Sequence, residues 1–459
     1  MAAEYPGLRG LPGARLRSCQ ELLLEFESDA SRLPRAVGSI LSSLRTILDE
    51  AIRRFESAIA DALDADARAI VERDYLDFAN IIGAFAEILT EGTDDPYLPV
   101  DLLPAMAASM DRPLRDHAML PRSVSDTSYS TRSHEKPLEL VADQLPMGPP
   151  LPETLLTFPQ WLTFLDIPRS FRDSMLTHVI VLGHELAHAE DQFANYDYSA
   201  SVVNGLDLGR EADDEVVAGL VENWVEELFA DVAAVRRLGP AAIVLFGEYA
   251  GLIQVLGPTL PATLLLQHCR EHPLAELRLM VMFEELDALD YGTDFGELQP
   301  ALDHWRALAA RGSAAPADAP AEFTRADAII RTAVPQIRAA ARRLIPTKVY
   351  SRIGLARALE LAKILALGVA PSDRLTLDAE GRIVSTGETV EDLYTAATIV
   401  RASGAYRQQL ADQIPMPDEA TLSDVGREAI ALRKLDELLA RAVEGVRLWE
   451  DWPAQLRMP

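Results

Sequence analysis

Thr177-His178-Val179-Ile180-Val181-Leu182-Gly183-His184-Glu185-Leu186-Ala187-His188, wound as a helix, is apolar in nearly every direction. With Met175 and Leu176 before it, the apolar residues leave no wide polar face, which is the pattern of a buried helix. Yet the segment carries His184, Glu185 and His188. Ionisable groups inside a buried helix are costly unless something compensates them. A divalent cation is the simplest compensation. Residues four apart share one helix face, so both imidazoles can reach one ion. His178 points elsewhere and is expected to make a local hydrogen bond.

The pattern His184-Glu185-x-x-His188 is the H-E-x-x-H motif, in which the glutamate touches water beside the metal and not the metal itself. Chance occurrence in a chain this long is on the order of one per cent. Catalytic zinc takes three protein ligands and keeps an open position. A third histidine six residues after His188 is excluded, because that position is Ala194.

A glutamate on a later helix is the alternative. Periodicity predicts a helix over Val216 to Leu238. Val216, Leu220, Trp224, Leu228, Ala234, Val235 and Leu238 fall on one broad face, with Glu227 and Asp231 in its middle. Glu222, Glu226, Arg236 and Arg237 fall on the other side. Two carboxylates four apart on an apolar stripe raise each other's pKa unless a cation takes up their charge. A ligand glutamate with an aspartate that orients a ligand histidine does this. An arginine or a helix cap holding the pair is the other solution. Asp207, Glu211, Asp213, Asp214 and Glu215 are rival ligands, although acids near a helix start also favour the dipole.

Helical periodicity extends on both sides of this block. Ile40, Leu41, Leu44, Ile47 and Leu48 form one stripe, and Ile70, Tyr75, Phe78, Ile81, Phe85 and Leu89 a second. Asp111 to Pro168 is rich in Pro, Ser, Thr and Gly and reads as a long loop, with a short strand expected over Pro137 to Ala142. Ala241 to Leu266 is interrupted by Glu248, Gln254, Pro258 and Pro261, so it predicts two buried helical pieces and no membrane span. Gly312 to Pro320 reads as a linker. Ala326 to Leu367 is helical, and Arg374 to Asp378 with Arg382 to Thr386 suggests a small hairpin.

Composition limits the partners. Lys and Arg number 43 against 71 Asp and Glu, a net charge of −28. Such a surface repels phosphate backbones and anionic lipid, so nucleic-acid binding is not expected. Cys19 and Cys269 are far apart and outside any C-x-x-C pair, which leaves no disulfide framework and no cysteine zinc cluster. The first twenty residues lack a continuous apolar stretch, and a cytoplasmic location is the expectation.

H-E-x-x-H followed on a later helix by E-x-x-x-D resembles the gluzincin zinc metallopeptidases. The wording Glu227-Leu228-Phe229-Ala230-Asp231 is similar to the E-x-x-A-D form of their prenyl-protein (CAAX) endopeptidase branch. His272-Pro273 followed by Arg278 matches a third segment of that branch, although this chain shows no membrane spans. The resemblance covers about 100 residues, His178 to Arg278. It implies Zn2+ held by His184, His188 and Glu227, with Glu185 as general base. Asp231 would orient a ligand histidine, and His272 and Arg278 would lie near the site. For peptide hydrolysis, the candidate donors to the oxyanion are His272, Tyr249 or Tyr196.

The expected fold is mainly α. A zincin-like two-helix metal site over 126–311 would be flanked by a helical N-terminal region (1–125) and a helical C-terminal region with a small β-hairpin (321–459). The expected function is zinc-dependent hydrolysis of a peptide bond in a protein or peptide substrate. A helical interaction or scaffold protein with a structural or regulatory zinc site is the rival from another class.

Overall fold

The computed structural model describes residues 11–29, 35–91, 117–124, 130–135, 137–146, 148, 161–168, 179–193, 197–206, 214–254, 269–292, 295–313, 319–371, 375–377, 383–385, 389–414 and 424–455. The protein is mainly helical, with five short strands among these residues. It divides into two compact units: Met1–Leu103 with Leu114–Arg172, and Pro104–Pro113 with Asp173–Pro459.

In the first unit, α1 (Leu11–Asp29), α2 (Arg35–Asp61) and α3 (Ala65–Glu91) share one apolar core. The α2 stripe is as its spacing predicts: Ile40, Leu41, Leu44, Ile47 and Leu48 are all buried. On α3 the stripe lies differently. Tyr75 and Phe78 are buried, but Ile70 and Ile81 are exposed, and Val71 and Ile82 take the inward positions.

The stretch expected to be a loop contains a three-stranded sheet in the order β1-β3-β2, with β1 at His117–Val124, β2 at Ser130–Glu135 and β3 at Trp161–Pro168. β1 runs parallel and β2 antiparallel to the central β3. On β3, Leu162, Phe164, Leu165 and Ile167 are buried together with Thr163 and Asp166, so both faces are covered. The polar composition of its neighbours hid it. The strand expected over Pro137 to Ala142 is instead a helix, α4 (Pro137–Asp143). Proline suits a first helical position, and Leu138, Val141 and Ala142 bury one face at helical spacing.

The second unit is built around α7 (Glu215–Leu238). Before it come a helical segment containing a π turn (Val181–Glu185), α5 (Leu186–Phe193) and α6 (Tyr198–Gly205). Asp214 is the N-cap of α7, accepting from the N–H groups of Val216 and Val217, and Arg325 pairs with it at 2.6 Å. This rival ligand is therefore used as a cap; Asp207, Glu211 and Asp213 lie outside the described residues, as do His178 and Tyr196.

From Leu228 to Leu238 every residue of α7 is buried. Arg236 and Arg237 are thus not on a solvated face, contrary to the periodicity, and Val216 is half exposed. Following elements pack on this helix: α8 (Pro240–Gln254), α9 (Ala275–Ala288) and α11 (Ala321–Leu344), while α10 (Gln299–Ala309) packs on α8 and α9. Trp224 meets Phe323 edge to face at 5.0 Å in this core.

The buried Arg236 is matched by Glu285 of α9, which is wholly buried. Arg338 and Arg342 of α11 also donate to Glu285, so both of its oxygens are occupied. α7 ends at Gly239, with φ at +58°. A Cβ there would stand 2.6 Å from the Tyr350 ring, so only glycine fits.

The remaining helices are α12 (Arg352–Ala366), α13 (Val390–Ala402), α14 (Gly404–Asp412) and α15 (Asp424–Gln455). The expected hairpin is present as β4 (Leu375–Leu377) and β5 (Ile383–Ser385), antiparallel. The first of the two helical pieces expected over Ala241 to Leu266 is α8, and 255–268 lie outside the described residues. No helix among the described residues is long and apolar enough to cross a membrane.

Candidate metal centre

His184 lies in the π turn and His188 on α5, one turn later. The Leu186 N–H donates to the Val181 carbonyl, a five-residue step in place of the usual four. Such widened turns occur mostly as single insertions in α-helices, frequently at functional sites. Arg237 of α7 donates to the Gly183 carbonyl at 3.3 Å and forms an ion pair with Glu190. A charged donor therefore holds the widened turn.

Gly183 lets this segment approach α7. A Cβ on it would lie 2.9 Å from the Ala234 Cβ and 3.1 Å from Leu238 Cδ1. The two helices that carry the site thus cross where both present small residues.

The crossing brings three side chains together. The His184 and His188 Nε2 atoms are 3.2 Å apart. Glu227 Oε2 is 3.3 Å from His184 Nε2, and Oε1 is 3.5 Å from His188 Nε2. The ligand atoms of His184, His188 and Glu227 all lie within 4.8 Å of one another, so the cluster could hold a metal ion.

Asp231, one turn after Glu227, meets the other nitrogen of His184, with Oδ1 3.1 Å from Nδ1. That contact places a proton on Nδ1 and aims Nε2 at the cluster. Arg278 of α9 grips Asp231 with two bonds of 2.7 Å, from Nε and Nη2. Its Nη1 is 3.1 Å from Glu227 Oε2, and the guanidinium covers the Phe246 ring at 4.5 Å. Arginine therefore reaches both carboxylates, gripping Asp231 with two nitrogens and meeting Glu227 with the third, the alternative solution that the sequence left open.

His272 precedes α9, and two α7 side chains fix its segment. Trp224 Nε1 donates to the Cys269 carbonyl at 2.7 Å, and Asn223 Nδ2 to the Arg270 carbonyl at 2.9 Å. His272 Nδ1 then stands 3.0 Å from Glu227 Oε2, with 47% of the side chain exposed. Glu185 is buried beside His184. Tyr249 of α8 is close enough to feel the charges of Arg278, Glu185 and Glu227, and burial pushes its hydroxyl up to about 12.

Charge is strongly coupled here. Burial alone would lower the pKa of His184, but the carboxylates of Glu227 and Asp231 outweigh it and carry the ring up to about 10. Burial would likewise raise Glu227 and Asp231. For Glu227 the charges of Arg278, His184 and His272 prevail, and for Asp231 those of Arg278 and His184, so both stay ionised. Two cations thus balance two anions, and a metal binding at His184 Nε2 must displace a proton.

The donor set fits a divalent cation for a geometric reason. Glu227 Oε2 is buried with three nitrogens around it, yet it accepts no hydrogen bond of good geometry among the described residues. Between the two facing imidazole nitrogens a proton can serve only one lone pair at a time. An ion would engage both lone pairs and the carboxylate. Of the features the sequence did not show, the π turn, the Gly183 crossing and the Arg237 clamp have no motif. Comparison with protein-family models, curated proteins and solved structures gives no match to this chain.

Proposed function

We propose that this chain is a zinc-dependent endopeptidase of the gluzincin kind. One observation carries the reading: two histidines and a glutamate from separate helices converge on a point beside the buried Glu185. Two imidazoles and one carboxylate form a ligand set used by catalytic zinc in peptidases. When held by His184, His188 and Glu227, zinc supplies Lewis acidity that polarises a carbonyl and acidifies water.

The chain's own residues do the rest. Asp231 fixes the tautomer of His184, and Arg278 fixes Asp231 and Glu227 in turn. Glu185 accepts a proton from the attacking water and passes it to the departing amine. His272, half exposed at the rim, and Tyr249, held protonated, are the candidate donors to the oxyanion that develops on the peptide carbonyl.

Metal analysis and a Glu185→Gln comparison test this together. The purified chain is expected to carry about one zinc per molecule. Glu185→Gln is expected to keep the metal and lose peptide hydrolysis by roughly a hundredfold or more. Full activity in that variant would overturn the mechanism.

The approach of His272 Nδ1 to Glu227 Oε2 favours a second reading. If His272 closes the site as a fourth ligand, the metal is structural and the protein an interaction module. X-ray absorption of the zinc-loaded chain distinguishes them: a His272→Ala change that removes one nitrogen scatterer supports the closed site.

A further inference from the structure

Two neighbouring arginines at the end of α7 are both buried, and they serve different parts of the fold. Arg236 sends Nε and Nη2 to the Ile345 carbonyl and Nη1 to Glu285, both later in the chain. Arg237 turns to the segment before α7. It is 2% exposed, its Nη1 donates to the Gly183 carbonyl at 3.3 Å, and its Nη2 meets Glu190, which is 4% exposed.

Those two partners bracket the histidines. Gly183 immediately precedes His184, and Glu190 follows His188 on α5. One guanidinium therefore ties the π turn that carries the first imidazole to the α-helical turn that carries the second. A guanidinium holds its donors in a rigid planar fork, so it also fixes the separation of its two acceptors. That separation matters here. A π turn changes the stagger of side chains that regular α geometry would set. The stagger it leaves puts the two Nε2 atoms 3.2 Å apart. Glu227 belongs to α7 as well, so Arg237 links the helix of one candidate ligand to the segment of the other two.

A buried ion pair alone is weak evidence of a role, since an apolar pair of similar volume often serves as well. The bond to the Gly183 carbonyl is different, because an apolar side chain cannot supply it.

We propose that Arg237 is a positioning residue of the metal centre, whose clamp on Gly183 and Glu190 holds the two imidazoles at the spacing that binds the ion. The inference rests on the reading of His184, His188 and Glu227 as metal ligands. Arg237 acts through the backbone before His184 and through α5, not on the ion or a substrate.

The test uses the full-length chain and needs no substrate. Zinc affinity is measured by competition with a chromophoric chelator. Visible absorption of the Co2+-loaded chain reports ligand geometry, and urea unfolding of the metal-free chain reports the fold. Arg237→Met combined with Glu190→Leu replaces the buried pair with apolar side chains, and its urea midpoint is expected to stay at or near the parent's. Its zinc affinity is expected to fall roughly 10–100-fold, with a changed Co2+ spectrum. Arg237→Lys keeps a charge beside Glu190 but gives up the fork, and decides the matter if the double variant does not fold. Its affinity is expected to fall roughly threefold to tenfold. Glu285→Ala is the control for lost stability, and its affinity per folded molecule is expected to match the parent's. Parent-like affinity and spectrum in a folded Arg237 variant would overturn the proposal and leave the metal reading standing. An equal loss of affinity in Glu285→Ala would reduce the effect to stability and overturn it too. A parent chain that binds no zinc would overturn both.

Discussion

Two buried charge clusters meet α7, one at Glu227 and one at Arg236, less than three turns apart, and they are finished differently. At Glu285 three arginines reach one carboxylate, and both oxygens accept hydrogen bonds. At Glu227 four nitrogens surround one carboxylate, but Oε2 accepts no good hydrogen bond among the described residues and two imidazole nitrogens face each other. Neither cluster carries excess negative charge, so charge alone calls for no further cation in either. Arg278 and the protonated His184 balance Glu227 and Asp231 without any metal. What separates them is directional. The first cluster has used its acceptors, and the second points its acceptors at one place.

The largest expected effect comes from breaking the open cluster. His184→Ala removes a ligand and should abolish both metal retention and hydrolysis, read by elemental analysis and peptide assay. Asp231→Asn keeps the size but weakens the orienting contact, and should cost roughly 10–100-fold in metal affinity. Equal zinc content in His184→Ala and the parent chain would remove the ligand assignment.

Breaking the closed cluster should act on stability alone. Glu285→Ala leaves Arg236 buried without its carboxylate and is expected to cost about 3–5 kcal/mol in urea unfolding. Metal content per folded molecule should stay unchanged. If zinc is lost in proportion, the two clusters are not distinct.

Gly183→Ala is expected to have a smaller effect than either. The added methyl meets Ala234 at the helix crossing, and overpacking of this kind costs about 1–3 kcal/mol. It should also weaken metal binding, because it separates the helices that supply the ligands. A pairing of Gly183→Ala with Ala234→Gly should restore part of both, and failure to do so would place the strain elsewhere.

The smallest effect is on acid stability. Burial would raise Glu285, but the arginines hold it below its ordinary value of 4.5. Its contribution is therefore complete above pH 4.5 and is lost as pH falls through the lower, folded-state value. Urea midpoints measured downward from pH 6 should decline less steeply below 4.5 in Glu285→Gln than in the parent chain.

The sequence by itself determined the mainly α class and placed His184, Glu185 and His188 on one buried helix. It also identified Glu227 and Asp231 as carboxylates on an apolar stripe, because helical periodicity fixes which residues share a face. Even His272 and Arg278, the weakest of its indications, stand beside Glu227. Periodicity fails where burial is all round. Arg236 and Arg237 read as solvated because a helix wheel has no information about what packs on its far side, and α9 and α11 enclose that face. The central strand β3 was lost among polar neighbours because pairing partners distant in sequence, not local composition, make it a strand.

Only the tertiary structure decided what compensates the carboxylates. The chain pattern says that a charge inside an apolar face needs a partner, but not which one. Arg278 takes Asp231 because α9 crosses α7 at that turn. Glu227 meets the histidines as well as Arg278 because Gly183 lets the histidine helix come close. Those crossings are long-range packing, and no local spacing encodes them.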